Sequence, residues 1–246
     1  MARRGIDPAD VPNLTALYVG GVGVTGTPIS QWDDQSGAGR HMEQTTLALR
    51  PTNASGAPKS EGGSDYMTST GFGTMQPATQ YASYIVFTLH AVPAYTTHGI
   101  SAPALVAEHL AAYQGTCVHN DGGTAKLYAH HFRHTAGASD KTVGIQLALD
   151  TQYLVRVRWD GVDISPPGTA GAAGLWCRAA GVETSISTVA RHTGADGLFP
   201  ALFRGESGEC VQATIHYAAF FGSDIDAAYR DGIDTWFVAN FPGITL

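Results

Sequence analysis

The chain has 246 residues, of which 43% are hydrophobic and 14% charged, with a formal net charge of −7. Such a length suits one large domain that buries a core without disulfides, and the low charge content excludes a disordered chain. No basic cluster follows Arg3 and Arg4, which argues against nucleic acid as a partner, because neutralising phosphates takes a basic stripe.

In chain order, Met1 to Arg4 lead into a polar stretch without the apolar run of a signal peptide. Residues 1–12 read as an N-terminal arm and 13–246 as one domain. Residues 15–19 read as a first strand ended by Gly20 and Gly21, and 29–33 as a second, stopped by the loop at 36–39. Residues 53–64, rich in Gly, Ser and Pro, read as a long loop. The run 82–90 is nearly all apolar and closes before Pro93, which predicts a central strand. Residues 102–113 suggest a short helix.

Alternation is cleanest over 153–160. Tyr153, Val155, Val157 and Trp159 share one face, and Arg156, Arg158 and Asp160 the other, with Leu154 as the exception. Period two turns the first set inward and the arginines to solvent. Residues 211–221 give another long strand, ended by Gly222. Then Ile225, Ala228, Tyr229, Ile233, Trp236 and Phe237 recur at three- and four-residue steps. They predict an amphipathic helix over 224–240, capped by Ser223 or Asp224 and stopped by Pro242 and Gly243. Gly232 costs that helix about 1 kcal/mol relative to Ala, so its packing must hold it.

No run reaches the ~18 apolar residues of a membrane helix, so no membrane insertion is expected. Three widely spaced cysteines, Cys117, Cys177 and Cys210, form neither a disulfide framework nor a zinc site and read as small buried hydrophobes. The fold class expected is all-β, with strands divided by frequent turns.

The order of segments is recognisable. Pro12-Asn13-Leu14, then Trp32-Asp33-Asp34-Gln35-Ser36-Gly37 with Gly39, then Arg50-Pro51-Thr52 make one progression. Trp159-Asp160-Gly161, Leu175-Trp176-Cys177-Arg178 and a closing strand at 213–220 that runs into the helix make another. Together they resemble laminin-G-like members of the concanavalin A-like lectin/glucanase superfamily. The resemblance implies a two-sheet antiparallel jelly-roll sandwich with a groove on one side and a C-terminal amphipathic helix. That superfamily hosts lectins, hydrolases, lyases and structural modules, so fold leaves function open.

Retaining glucanases of this kind carry a Glu-x-Asp-x-x-Glu strand whose carboxyls lie about 5–5.5 Å apart. Among the glutamates only Glu206 and Glu209 are close in sequence, in a segment that reads as a turn. Gln212 to His216 does not match the strand of alginate-lyase-like jelly rolls. The expectation is therefore that the chain is not an enzyme and has no catalytic residues, metal or cofactor. Asp33 and Asp34 suggest calcium, yet adjacent strand positions point to opposite faces, which favours a polar turn. Asn120-Asp121-Gly122-Gly123 reads first as a hairpin turn and second as a loop ligand site. His130, His131 and His134 would sit on a strand, with His130 and His134 about 13 Å apart at a ~3.3 Å rise, too far for one ion unless it is shared between chains.

Sugars stack on aromatic rings beside a few orienting polar groups. Trp32, Trp159 and Trp236 fall on core faces, whereas Trp176 faces out beside Arg178. A glycan site is accordingly expected at Trp176, Arg178, Asn120 and Asp121, with an interface role for Trp176 equally open. The function expected is a non-catalytic surface module of a bacteriophage virion (capsid decoration, head fibre or tail-associated receptor binder), made in the host cytoplasm. Its partners would be other virion proteins or host surface glycans, and it would be a homo-oligomer or lattice-bound. A soluble lectin is the alternative, and a polysaccharide-degrading enzyme the third reading.

Overall fold

The computed structural model describes residues 5–69, 81–93, 104–107, 114–132, 139–159, 175–186, 201–203, 210–223, 225 and 227–244. Two antiparallel sheets are stacked, and a C-terminal helix, Ala227–Asn240, lies on the outer face of one of them. Among the described residues the helix-side sheet has eight strands, seven of them in the order Val182–Ile186, Leu175–Ala179, Gln152–Trp159, Tyr81–Leu89, Ala213–Phe221, Ala57–Ser60 and Thr52–Ala54. Leu14–Val19 also pairs with Ala213–Phe221. The second sheet has ten described strands, running from Ser139–Lys141 through Thr124–Phe132 and Gln114–Asp121 to Val24–Thr25 at the far edge. This is the jelly-roll sandwich with a closing helix that the sequence predicts.

Alternation decides which side chains enter which layer. Ile85, Phe87, Val155, Val157, Ile215 and Phe220 join Trp32, Met42, Val118 and Leu127 in the core between the sheets. The opposite faces of the same strands give Tyr84, Val86, Leu154, Tyr217 and Phe221, which pack with Ile233 and Phe237 of the helix. A sheet covered on both sides reads as a nearly continuous apolar run, which explains the sequence of Tyr81–Leu89 and Ala213–Phe221.

Four expectations need correction. The long loop expected over 53–64 holds a hairpin, Thr52–Ala54 paired with Ala57–Ser60, which forms the edge of the helix-side sheet. The strand expected over 29–33 is only Gln31–Trp32, because the backbone N–H groups on either side bond elsewhere: Ile29 to Pro51 O, Ser30 to Thr25 O and Asp33 to Gly23 O. Within 102–113 the described residues, Ala104–Ala107, are strand rather than helix, filling the gap between Gln114–Asp121 and Ala201–Leu202. Arg156 does not face solvent: it is 9% exposed under the helix, on the face that also carries Leu154.

The N-terminal segment passes the helix at close range because Gly232 has no side chain. A Cβ there would lie 2.4 Å from Ile6 Cδ1, and Gly232 O accepts a hydrogen bond from Ile6 N at 2.9 Å. The N-terminal segment is thus a strap along the helix.

Candidate functional site

The outer face of the helix-side sheet is organised in rows that run across the strands. At one end Trp176 pairs with Arg158, which pairs with Ala82 and through it with Phe221. In the next row Arg178 pairs with Arg156, then Tyr84, then Ala219. At the opposite end five strands contribute Gln152, Thr88, Thr214, Lys59 and Thr52 in register. The helix covers the apolar rows between, so a cationic-aromatic corner and a polar corner flank it.

The first corner contains two of the residues expected at a glycan site. Trp176 is half-buried and Arg178 partly exposed, both opposite the core-facing Cys177 and Ala179. The Arg158 guanidinium sits 3.7 Å from the centre of the Trp176 ring, a cation–π contact that holds the indole in place. Arg156 bonds Asp234 of the helix at 3.0 Å and Glu183 at 2.8 Å, and Arg178 reaches the same Asp234 oxygen at 3.4 Å. Burial disfavours the Arg156 charge, but Asp234, Tyr84 and Glu183 more than offset it, and its pKa stands above the ordinary arginine value. Leu154, Arg156, Arg178 and Asp234 line a shallow cleft beside the helix.

Asn120 and Asp121 belong elsewhere, on the hairpin between Gln114–Asp121 and Thr124–Phe132 of the other sheet. Asn120 Oδ1 accepts from Gly123 N at 2.8 Å, and Asp121 pairs with Lys126 at 2.5 Å. Both side chains therefore shape the turn, and the structure does not bring them together with Trp176 and Arg178. His130 and His131 pair in register with Lys141 and Asp140, while His134, Glu206 and Glu209 lie outside the described residues. Among the described residues no group of three or more His, Cys, Asp or Glu is arranged to hold a metal ion. Asp34 accepts bonds from Leu17 N, Ser36 N, Ser36 Oγ and Arg40 N, so its carboxylate organises the loop that the Trp32 motif opens.

The polar corner was not anticipated. His90 Nδ1 lies 2.8 Å from Asp150 Oδ1, and His90 Nε2 lies 2.8 Å from Thr214 Oγ1. His216 Nε2 is 3.0 Å from Thr88 Oγ1. His216 is the extra residue of a bulge, since Ile215 pairs with Phe87 and Tyr217 with Val86. Burial, and then the proximity of His90, hold its pKa below the ordinary histidine value.

No family model matches the chain, and no curated protein matches it in sequence. Its fold does match solved structures. A sialidase of Trypanosoma rangeli in complex with sialic acid superposes with a TM-score of 0.62 at 11% identity, over 97% of this chain and 35% of the sialidase. The binding domain of Paraclostridial Mosquitocidal Protein 1 gives 0.56 at 10% identity, over 96% of this chain and 54% of that one. The binding domain of Botulinum Neurotoxin DC in complex with SialylT gives 0.56 at 9% identity, over 95% and 52%. The likeness is one of fold. The chain spans about a third of the sialidase and about half of either toxin domain.

This corrects the expectation that the chain is not an enzyme. That expectation rested on a missing pair of glucanase carboxylates, and the matched folds include sialidases. Sialidases use a tyrosine nucleophile in place of the usual carboxylate. The absence of a Glu-x-Asp-x-x-Glu strand therefore excludes one arrangement of groups and not hydrolysis as a class.

Proposed function

We propose that this chain is a glycan-binding β-sandwich module of laminin-G-like type, with Trp176, Arg158 and Arg178 as a platform for sugars that carry a carboxylate. The observation that carries the reading is the Trp176 ring held against the Arg158 guanidinium at 3.7 Å, with Arg178 two residues along on the same face. An indole offers a sugar its apolar face, and a guanidinium offers a carboxylate two parallel donors. The matched sialidase in complex with sialic acid and the matched binding domain in complex with SialylT support acidic sugars as the first class to test. Nothing in the fold favours the narrower reading of a bacteriophage virion surface protein, so the coarser one is adopted.

An array of sialylated, uronic-acid and uncharged glycans tests the proposal. The wild-type chain is expected to retain acidic glycans, and Trp176→Ala to weaken that retention about 10-fold or more, the loss of one stacking contact and its ordered cation. An array without acidic hits, or a Trp176→Ala protein that binds them as well as wild type, would remove the platform.

A further inference from the structure

The polar corner at the other end of the same face has no part in that platform. One strand rises ~3.3 Å per residue, so the six positions from Arg158 to Gln152 place it about 20 Å away, with the helix-covered rows between. We infer that this corner, centred on Thr88, His90, Asp150 and Gln152, is a second carbohydrate site, selective for uncharged, hydroxyl-rich sugars.

Three features select that ligand class. Lys59 Nζ is matched by Glu61 at 3.0 Å, whereas the Asp150 carboxylate accepts a hydrogen bond from His90 Nδ1 at 2.8 Å and keeps its charge. An anion is therefore repelled by the exposed Asp150 carboxylate, whereas a neutral polyol meets hydroxyls, an amide, imidazoles and a carboxylate oxygen that accepts. Backbone groups of the central strands are consumed by the sheet ladders, which excludes an extended peptide docking as an added strand. Apolar ligands find no apolar floor, because the row in register is Gln152, Thr88, Thr214, Lys59 and Thr52.

The corner is also pre-organised. Asp150 has a left-handed backbone, φ 53°, and its N–H is tied to Leu89 O at 2.8 Å. This turn presents the carboxylate at the end of the sheet, with the side chain 74% exposed. With Nδ1–H donated to Asp150, His90 Nε2 accepts from the Thr214 hydroxyl, so the imidazole cannot rotate. Thr214 is 4% exposed; its hydroxyl orients His90 and does not itself reach a ligand. The outward-facing groups are then the Asp150 carboxylate and the half-exposed Thr88, Gln152 and His90. A carboxylate beside an amide is suited to a pair of vicinal hydroxyls, each of which donates and accepts.

The site stands on different residues from the Trp176 platform, so either can fail alone. Galactose-, glucose-, mannose- and N-acetylglucosamine-terminated uncharged oligosaccharides are arrayed beside the acidic glycans and probed with four proteins. Wild type and Trp176→Ala are expected to bind the same uncharged sugar equally. Asp150→Asn, which keeps a residue tolerant of the left-handed turn, and Gln152→Ala are each expected to bind it about 10-fold more weakly, the effect of one lost charged or amide contact. Amide shifts of Thr88, His90 and Thr214 in the wild-type protein locate the sugar without any variant. The inference is overturned by an array with no uncharged hit, by variants that bind as wild type, by binding lost in Trp176→Ala, or by shifts confined to other strands.

Discussion

Asp34 shows how much one carboxylate does in a loop-rich sandwich. Its two oxygens accept four bonds, from Leu17 N at 2.9 Å, Ser36 N at 2.9 Å, Ser36 Oγ at 2.8 Å and Arg40 N at 3.0 Å. The loop after Trp32 is thereby joined to the first strand. Burial pushes the carboxyl up, and these donors outweigh it, so its pKa is held below the ordinary aspartate value. A group depressed in the folded state stabilises above its unfolded pKa, near 3.8, and that contribution disappears as pH falls through the folded value. Asp34→Asn keeps the volume but turns one acceptor into a donor that faces N–H groups. It is expected to cost about 3 kcal/mol at pH 7, the loss of charge-assisted bonds plus an unsatisfied donor. Below pH 4 the difference from wild type should shrink, because wild type loses the same interaction on protonation. Urea unfolding at pH 7 and pH 3 checks both; a cost that does not change with pH would remove the electrostatic account.

Among elements, the helix and its strap set the shape of the functional face. Gly232 is a helix interior glycine, and replacing it by Ala gains about 1 kcal/mol of helix propensity in an open setting. Here the new Cβ would stand 2.4 Å from Ile6 Cδ1 and 3.0 Å from Ile6 Cβ. Gly232→Ala is therefore expected to destabilise, with the strap displaced, whereas in an Ile6→Ala background the same change should become neutral or stabilising. A thermal double-mutant cycle reads that change of sign, and additivity would show that the two residues do not meet. The sequence revealed the helix because its apolar spacing is local, and the long strands because their alternation or apolar content is continuous. It concealed two-residue strands such as Gln31–Trp32, which exist only through partners 6 to 12 positions away. It also assigned the Arg156 face to solvent, since alternation cannot say what lies over a sheet. Leu154 between Tyr153 and Val155 was the one local sign that this face is covered. Trp176 facing outward was legible; the ring on which Arg158 rests depends on register. The polar corner was not legible at all, because residues 52, 59, 88, 152 and 214 become neighbours only in the folded sheet.

At the scale of the molecule, the described residues form three layers, and an ion cluster joins the helix to the sheet beneath it beside the cationic corner. Asp234 on the helix takes Arg156 at 3.0 Å and Arg178 at 3.4 Å from adjacent strands, while Glu183 on the edge strand takes Arg156 at 2.8 Å. Apolar packing of Phe237, Ile233 and Tyr84 supplies the adhesion, but such packing is indifferent to small rotations of the helix. The fork of Arg156 between two carboxylates is directional, so it fixes the helix over the middle rows and keeps both ends of the face open. A buried pair of this sort contributes little net stability against an apolar replacement, yet removing one partner strands a charge. Asp234→Ala is accordingly expected to cost about 3 kcal/mol, the low end for a broken buried pair because Glu183 still holds Arg156. The double replacement Arg156→Met with Asp234→Leu should recover most of that loss. If the cluster sets helix position, the recovered double variant should still bind acidic glycans more weakly than wild type, since the helix edge beside Arg178 is no longer held. Urea unfolding and array binding measured on the same three proteins separate the two roles. Stability and binding that return together would mean that the cluster stabilises the helix without placing it.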